Sequence, residues 1–218
     1  MIKMKNYETV LFDLDGTLTD PGEGVTNSVA YALEKFGISV EDKRELYRFI
    51  GPPLLYSFEN FYGFSESDAK KALGYYREYY SKTGIFENRI YDGIKDLLTD
   101  LKKSGKKLVV ATSKPEHFAK IVLKNFDILG YFDFLGGASL DESRSEKNEI
   151  MEYALNTCKT DVTKAIMIGD RHFDIDGAKL FGMDSIGVLF GYGTREELES
   201  AGATYIVNSA DEIRKILL

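Results

Sequence analysis

Val10-Leu11-Phe12-Asp13-Leu14-Asp15-Gly16-Thr17 sets an apolar run directly against two aspartates and a glycine. A run apolar on both faces suits a strand buried in a parallel sheet. Side chains alternate along an extended strand, so Asp13 and Asp15 point one way and Leu14 the other. Two carboxylates therefore meet at the end of one strand.

Working outward, the same kind of run recurs as Leu108-Val109-Val110-Ala111, Ala165-Ile166-Met167-Ile168 and Ile186-Gly187-Val188-Leu189, with Tyr205-Ile206-Val207 as a fifth. Helical patterns lie between them, such as Ile94, Leu97, Leu98 and Leu101, closed by Gly105. Strand alternating with helix predicts an α/β fold, a doubly wound parallel sheet. The alternation breaks once, after the first strand. Val25, Val29, Ala32, Leu33 and Phe36 mark a helix ended by Gly37, and Gly51-Pro52-Pro53 then breaks the chain. Helices are expected over residues 54–62 and 67–81. The predicted organisation is a core of residues 1–18 and 90–218, with a small all-helical domain, 19–89, inserted after the first strand.

At 218 residues the chain can bury a substantial core. A formal charge of -7 without long basic runs argues against a nucleic-acid partner. Cys158 is the single cysteine, which excludes an intramolecular disulfide and a cysteine metal cluster. A reducing, cytoplasmic setting fits that usage. The first residues lack a signal-peptide pattern, and no apolar run reaches membrane-spanning length.

Ligands of open α/β sheets bind beyond the carboxyl ends of the strands. There stand Asp13 and Asp15, then Thr112 and Ser113, then Gly169-Asp170 followed by Asp174, while Lys147 opens the helix before the third of these strands. Each has an ordinary reading alone: a turn at Asp15-Gly16, a capping box from Ser113 to Glu116, a solvated lysine. Gathered at one edge, the acids would force one or more of their number to stay protonated unless a cation compensates. Carboxylate oxygens suit a hard divalent ion, and magnesium fits better than zinc.

This set resembles the haloacid dehalogenase superfamily of phosphatases. The first motif stands as Asp13-Leu14-Asp15-Gly16-Thr17, the second as Thr112, the third as Lys147, and the fourth as Gly169-Asp170-Arg171-His172-Phe173-Asp174. The insert resembles the helical cap of the phosphoglycolate-phosphatase and 5'-nucleotidase branch, on a Rossmann-like core. The resemblance implies Asp13 as the nucleophile that becomes phosphorylated and Asp15 as acid, then base. It implies Thr112, the Ser113 N–H and Lys147 as the phosphate site. The Asp13 and Asp170 carboxylates with the Asp15 main-chain carbonyl would bind Mg2+, and Asp174 would act through water. Lys114 and Arg144 are neighbouring cations, and Lys147 is preferred because it begins an amphipathic helix at the family's usual place. An aspartate at position 15 selects phosphate esters within the family.

The segment from Thr17 to Arg89 carries 14 of the 28 Phe and Tyr residues, an aromatic excess that points to packed rings or a stacking surface. Tyr75, Tyr76, Tyr79 and Tyr80 are expected to form one packed helix face. Gly51, Pro52 and Pro53 occupy the place of a substrate-specificity loop in helical-cap members. Related mutases carry an arginine there, and here only Arg48 and Arg89 are at hand for a distal anion. His117 is expected on a solvated helix, His172 in the acidic loop, and Cys158 on an apolar helix face.

The resulting expectation is a cytoplasmic, magnesium-dependent hydrolase of a small phosphorylated metabolite, phosphoglycolate or a nucleoside 5'-monophosphate. It would be a monomer or small homo-oligomer, without nucleic-acid or membrane partners, whose cap opens about Thr19 and Arg89. A sugar-phosphate mutase and a receiver-like phosphoacceptor module are the alternatives.

Overall fold

In the computed structural model, which describes residues 5–141 and 143–218, the first apolar run lies in β1 (Thr9–Phe12), buried along its whole length. The chain continues through β2 (Thr19–Asp20), α1 (Gly22–Glu34), α2 (Leu54–Tyr62), α3 (Glu66–Tyr79) and β3 (Arg89–Ile90). Then come α4 (Ile94–Lys103), β4 (Lys107–Pro115), α5 (Glu116–Asn125), β5 (Phe134–Ala138), α6 (Lys147–Cys158) and β6 (Ala165–Gly169). The last elements are α7 (His172–Leu180), β7 (Asp184–Val188), α8 (Arg195–Ala201), β8 (Tyr205–Val207) and α9 (Ala210–Leu217). One folding unit uses the chain up to Thr19 and from Ile90 onward, and the other is Asp20–Arg89. β2 and β3 pair as a short ribbon where the chain passes between them.

The first unit is a parallel six-stranded sheet in the order β5-β4-β1-β6-β7-β8. Register aligns its carboxyl edge, because Phe12 lies opposite Val110 on one side and Ile168 on the other. The residues that follow in each strand are thereby neighbours. Leu11, Val109 and Met167 pack with Ile150, Met151 and Ala154 of α6 in one buried cluster. Each of these side chains larger than alanine contributes about 1.5–3 kcal/mol on leaving water. α4 buries Ile94, Leu97, Leu98 and Leu101, the four residues of its apolar stripe.

The structure adds one strand, removes one ordinary reading and corrects one expectation. Phe134–Ala138 is an edge strand that no apolar run announced. β4 runs on to Pro115 through a register shift between Thr112 and Pro115, so Ser113 caps nothing. Pro115 occupies the N-cap position of α5 instead, and Glu116 accepts from Arg144 Nη2 at 2.9 Å. The tyrosines of the insert divide between two sides. Tyr76 and Tyr80 are buried and stacked at 5.2 Å, whereas Tyr75 is exposed and Tyr79 donates to Glu87 at 3.1 Å.

The second unit packs α1 against α3, with a 3-10 turn at Lys43–Phe49 and a π turn at Tyr80–Gly84. Phe49 lies 5.1 Å from Phe58 and 5.4 Å from Phe61, edge to face, which is where much of the aromatic excess goes. Gly51 takes φ 110°, Pro52 is buried, and Pro53 precedes the first turn of α2. Arg48 lies over the Phe61 and Tyr62 rings, and Arg89 donates to Asp20 at 2.8 Å. Among the described residues no helix is long and apolar enough to cross a membrane.

Candidate active site

Asp13 extends the β1 ladder by one bond, its N–H donating to Ile168 O at 2.9 Å. Beyond it the chain turns tightly. Leu14 O accepts from the N–H groups of Leu18 and Thr19 at 2.9 and 3.0 Å, and Gly16 N donates to Thr19 O at 2.7 Å. Gly16 takes φ 86°, and a Cβ there would collide with the Asp170 carboxylate, so glycine is required on both counts. Leu14 points into the core, fully buried. Asp13 and Asp15, on either side of it in sequence, instead pair with Lys147 and Lys114.

α6 delivers Lys147 from the next layer. Its Nζ donates to Asp13 Oδ1 at 2.8 Å and to Ala111 O at 3.0 Å, and pairs with Asp174 Oδ1 at 2.9 Å. Burial pulls the ammonium's pKa down, but Asp13 and Asp174 outweigh it and the net shift is upward. Lys147 is cationic at any physiological pH. The solvated reading of this lysine is excluded, since only 7% of it is exposed.

β6 and α7 deliver the remaining acids. Asp170 is fully buried; its Oδ2 accepts from Tyr192 N at 2.7 Å, and its Oδ1 has no hydrogen-bond partner. Asp174 Oδ2 accepts from Arg171 N at 3.2 Å in the first turn of α7. Glu197 of α8 braces that turn, accepting from Arg171 Nε and His172 N at 2.9 Å each. Oxygens of Asp13, Asp170 and Asp174 lie within 4.8 Å of one another, a spacing that a single metal ion spans. Burial, then Asp174 and Asp13, push the Asp170 carboxyl well above the usual carboxylate range. Burial also raises Asp174, to about 6, against the opposing pull of Lys147.

β4 supplies Thr112, 1% exposed, whose Oγ1 accepts from Lys114 N at 3.3 Å, with the half-buried Ser113 between them. Lys114 itself is buried and its ammonium is ion-paired with Asp15 Oδ2. Burial raises Asp15, and Lys114 opposes that shift.

Asp13, Asp15, Thr112, Ser113, Lys147, Asp170 and Asp174 thus meet at the carboxyl edge of one sheet, whereas Gly51, Pro52 and Pro53 belong to the second unit. Two contributors received no role from the sequence, Lys114 having been noted there only as a cation near Thr112. Lys114 reaches a carboxylate 99 positions away, and Tyr192 contributes a backbone N–H that its side chain does not advertise. His172 is half-buried beside Asp176, and His117 is exposed on α5. Arg144 is drawn elsewhere, to Glu116, Gly137 O and the Tyr153 ring.

The haloacid dehalogenase-like hydrolase family profile matches residues 10–188. A 5'-nucleotidase from Pseudomonas aeruginosa is 42% identical over 211 residues, spanning 97% of this chain and 96% of the relative. The tyrosine-protein kinase PtkA of Mycobacterium tuberculosis is 37% identical over 212 residues, spanning 96% of this chain and 72% of the kinase. The crystal structure of a predicted phosphatase from Clostridium acetobutylicum matches with a TM-score of 0.95 at 51% identity, covering 97% of this chain and 98% of that one. The chain belongs to the haloacid dehalogenase-like hydrolase family and is one of its phosphatases, acting on phosphate esters.

Proposed function

We propose that the chain hydrolyses a small phosphomonoester with magnesium, through a phosphoryl group held covalently on Asp13. The observation that carries this reading is the buried Asp13 carboxylate, fixed at Oδ1 by Lys147 and flanked by Asp15 and Asp170. A nucleophilic carboxylate needs such fixing, and a phosphoryl group arriving beside it needs the cationic charge.

The donor set fits a hard divalent ion. Among the described residues, the four acids Asp13, Asp15, Asp170 and Asp174 share Lys114 and Lys147, with Arg171 near Asp170, so carboxyl groups outnumber cations at the site. The unpartnered Asp170 Oδ1 is an acceptor with no protein donor to serve it. Asp13 and Asp170 with the Asp15 main-chain carbonyl would hold magnesium, and Asp174, already engaged by Lys147 and Arg171 N, would act through water. Bound there, the ion would supply charge compensation for the acids and for the phosphoryl group.

In the first step an Asp13 oxygen bonds to phosphorus, the ester P–O bond breaks, and Asp15 gives its proton to the departing oxygen. In the second, Asp15 takes a proton from water as the water oxygen bonds to phosphorus and Asp13 is released. Lys147 neutralises phosphoryl charge throughout, and Thr112 with the Ser113 N–H orients the phosphoryl oxygens. The 5'-nucleotidase relative, 42% identical along nearly the whole chain, supports a nucleoside 5'-monophosphate ahead of phosphoglycolate.

The test is phosphate release from p-nitrophenyl phosphate, AMP and phosphoglycolate. Magnesium should support turnover, chelation should stop it, and Asp13→Asn should abolish it with the fold intact. Turnover by Asp13→Asn would remove Asp13 as nucleophile. The kinase relative favours a second reading, in which a hydroxyl replaces water as acceptor of the phosphoryl group. Radiolabel passing from substrate to tyrosine on a protein, instead of to free phosphate, would establish it.

A further inference from the structure

Among the described residues, Lys114 is the one buried cation at the sheet edge to which none of the roles above has been given. It stands near the end of β4, 8% exposed, with its ammonium on Asp15 Oδ2. The other oxygen of that carboxylate, Oδ1, is buried and has no hydrogen-bond partner. Asp15 is thus held at one oxygen and offered at the other. Lys147 is spent on the neighbouring carboxylate, Asp13, so each of the two aspartates of the turn has its own lysine. Burying an ammonium is costly unless it is paired, and here the pairing partner is the group on which proton transfer depends.

We propose that Lys114 is a positioning residue for proton transfer: it fixes the Asp15 carboxyl so that Oδ1 faces the oxygen that must gain or lose a proton. This rests on the assignment of Asp15 as acid and base made above. In the first step Oδ1 carries the proton, Oδ2 is the carbonyl oxygen accepting from Lys114, and the proton leaves Oδ1 as the ester P–O bond breaks. In the second step Oδ1 takes the proton of water as the bond from Asp13 to phosphorus breaks. Lys114 keeps its own proton in both steps and donates to Oδ2 in either state of Asp15. It therefore constrains direction without exchanging protons. Positioned proton transfer contributes roughly 10²–10⁴-fold, and only where the leaving oxygen needs the proton.

That dependence separates positioning from phosphate binding. p-Nitrophenolate leaves readily unprotonated, whereas the 5'-oxygen of AMP does not. In magnesium-loaded enzyme, Lys114→Met should lower kcat/KM for AMP about 100-fold and for p-nitrophenyl phosphate by less than about 5-fold. kcat should carry the loss. A series of substituted phenyl phosphates should show a steeper dependence of rate on leaving-group acidity than in the wild type. Lys114→Arg, which retains a donor cation, should recover most of the AMP activity. If Lys114→Met fails to fold, as judged by its melting curve, Lys114→Gln and Lys114→Arg carry the same comparison. Equal losses on all substrates, a loss confined to KM, or wild-type behaviour would each overturn the proposal. Turnover by Asp13→Asn, or wild-type inactivity toward every phosphate ester, would instead bring down the phosphatase mechanism itself.

Discussion

Lys147 carries its charge into a place where only 6% of its side chain meets solvent, and two carboxylates close around it. Removing one partner of a buried ion pair costs about 3–5 kcal/mol, because the charge left behind is neither solvated nor paired. Lys147→Met leaves both Asp13 and Asp174 in that condition. Its urea-unfolding free energy at pH 7.5, in chelator, should fall by about 3–5 kcal/mol, and phosphatase activity should vanish even where the variant stays folded. A loss below about 1 kcal/mol would mean that the pair contributes no more than an exposed one. At this scale the legibility of the site divides cleanly. Asp13, Asp15, Thr112 and Asp170 were readable because each follows an apolar run at a strand end, and Lys147 because it begins a helix. Lys114 was visible only as a neighbour of Thr112, since nothing local in the sequence encodes a bond across 99 positions.

Elements show the same division. The central strands β1, β4 and β6 are apolar on both faces because helices cover both, so their sequences announce them. β5 lies at the sheet edge and reads Phe-Leu-Gly-Gly-Ala, with two glycines and half-buried leading residues, so neither alternation nor a buried run marks it. The ordinary reading of Ser113 and Glu116 as a capping box fails because Pro115 extends β4 by dictating an extended residue before it. In the second unit two helical glycines make opposite predictions. A Cβ on Gly24 of α1 would run into the backbone carbonyl of Gly84 in the π turn, whereas a Cβ on Gly74 of α3 meets nothing within 4 Å. Helix propensity favours alanine over glycine by about 1 kcal/mol at either position. At Gly74 that gain stands alone, so Gly74→Ala should stabilise by about 0.5–1 kcal/mol. At Gly24 the collision is with backbone that no rotamer change can relieve, and overpacking of about 1–3 kcal/mol should win. Urea unfolding followed by circular dichroism measures both, and hydrogen exchange in Gly24→Ala should rise in α1 and at Tyr80–Gly84 before it rises in β1. Equal effects of the two substitutions would refute the close approach.

For the molecule as a whole, the acidic site couples stability to pH and to metal. Asp174 has a folded-state pKa of about 6, against an unfolded reference of about 3.9. A raised pKa means that the folded chain holds the proton more tightly than the unfolded one. Stability from this group is therefore full below about 4 and is lost as pH rises through about 6. Asp170 and Asp15 are shifted in the same direction, which extends the loss to higher pH. Lys147, also raised, contributes stability that persists until strongly alkaline pH, so it does not cancel the decline in this window. In chelator the acidic site should thus pull the melting temperature down between pH 5 and pH 7.5. Magnesium competes with those protons for the same oxygens, so it should add little at pH 5 and most at pH 7.5, reaching about 2.7 kcal/mol at a hundredfold excess over its dissociation constant. Thermal unfolding at pH 5, 6 and 7.5, with chelator and with magnesium, measures the gap directly. Asp170→Asn should shrink the gap at pH 7.5 while raising stability in chelator, because it removes the buried charge that the ion would otherwise offset. A gap independent of pH, or an Asp170→Asn protein less stable than wild type in chelator at pH 7.5, would show that the acids are balanced by the protein alone.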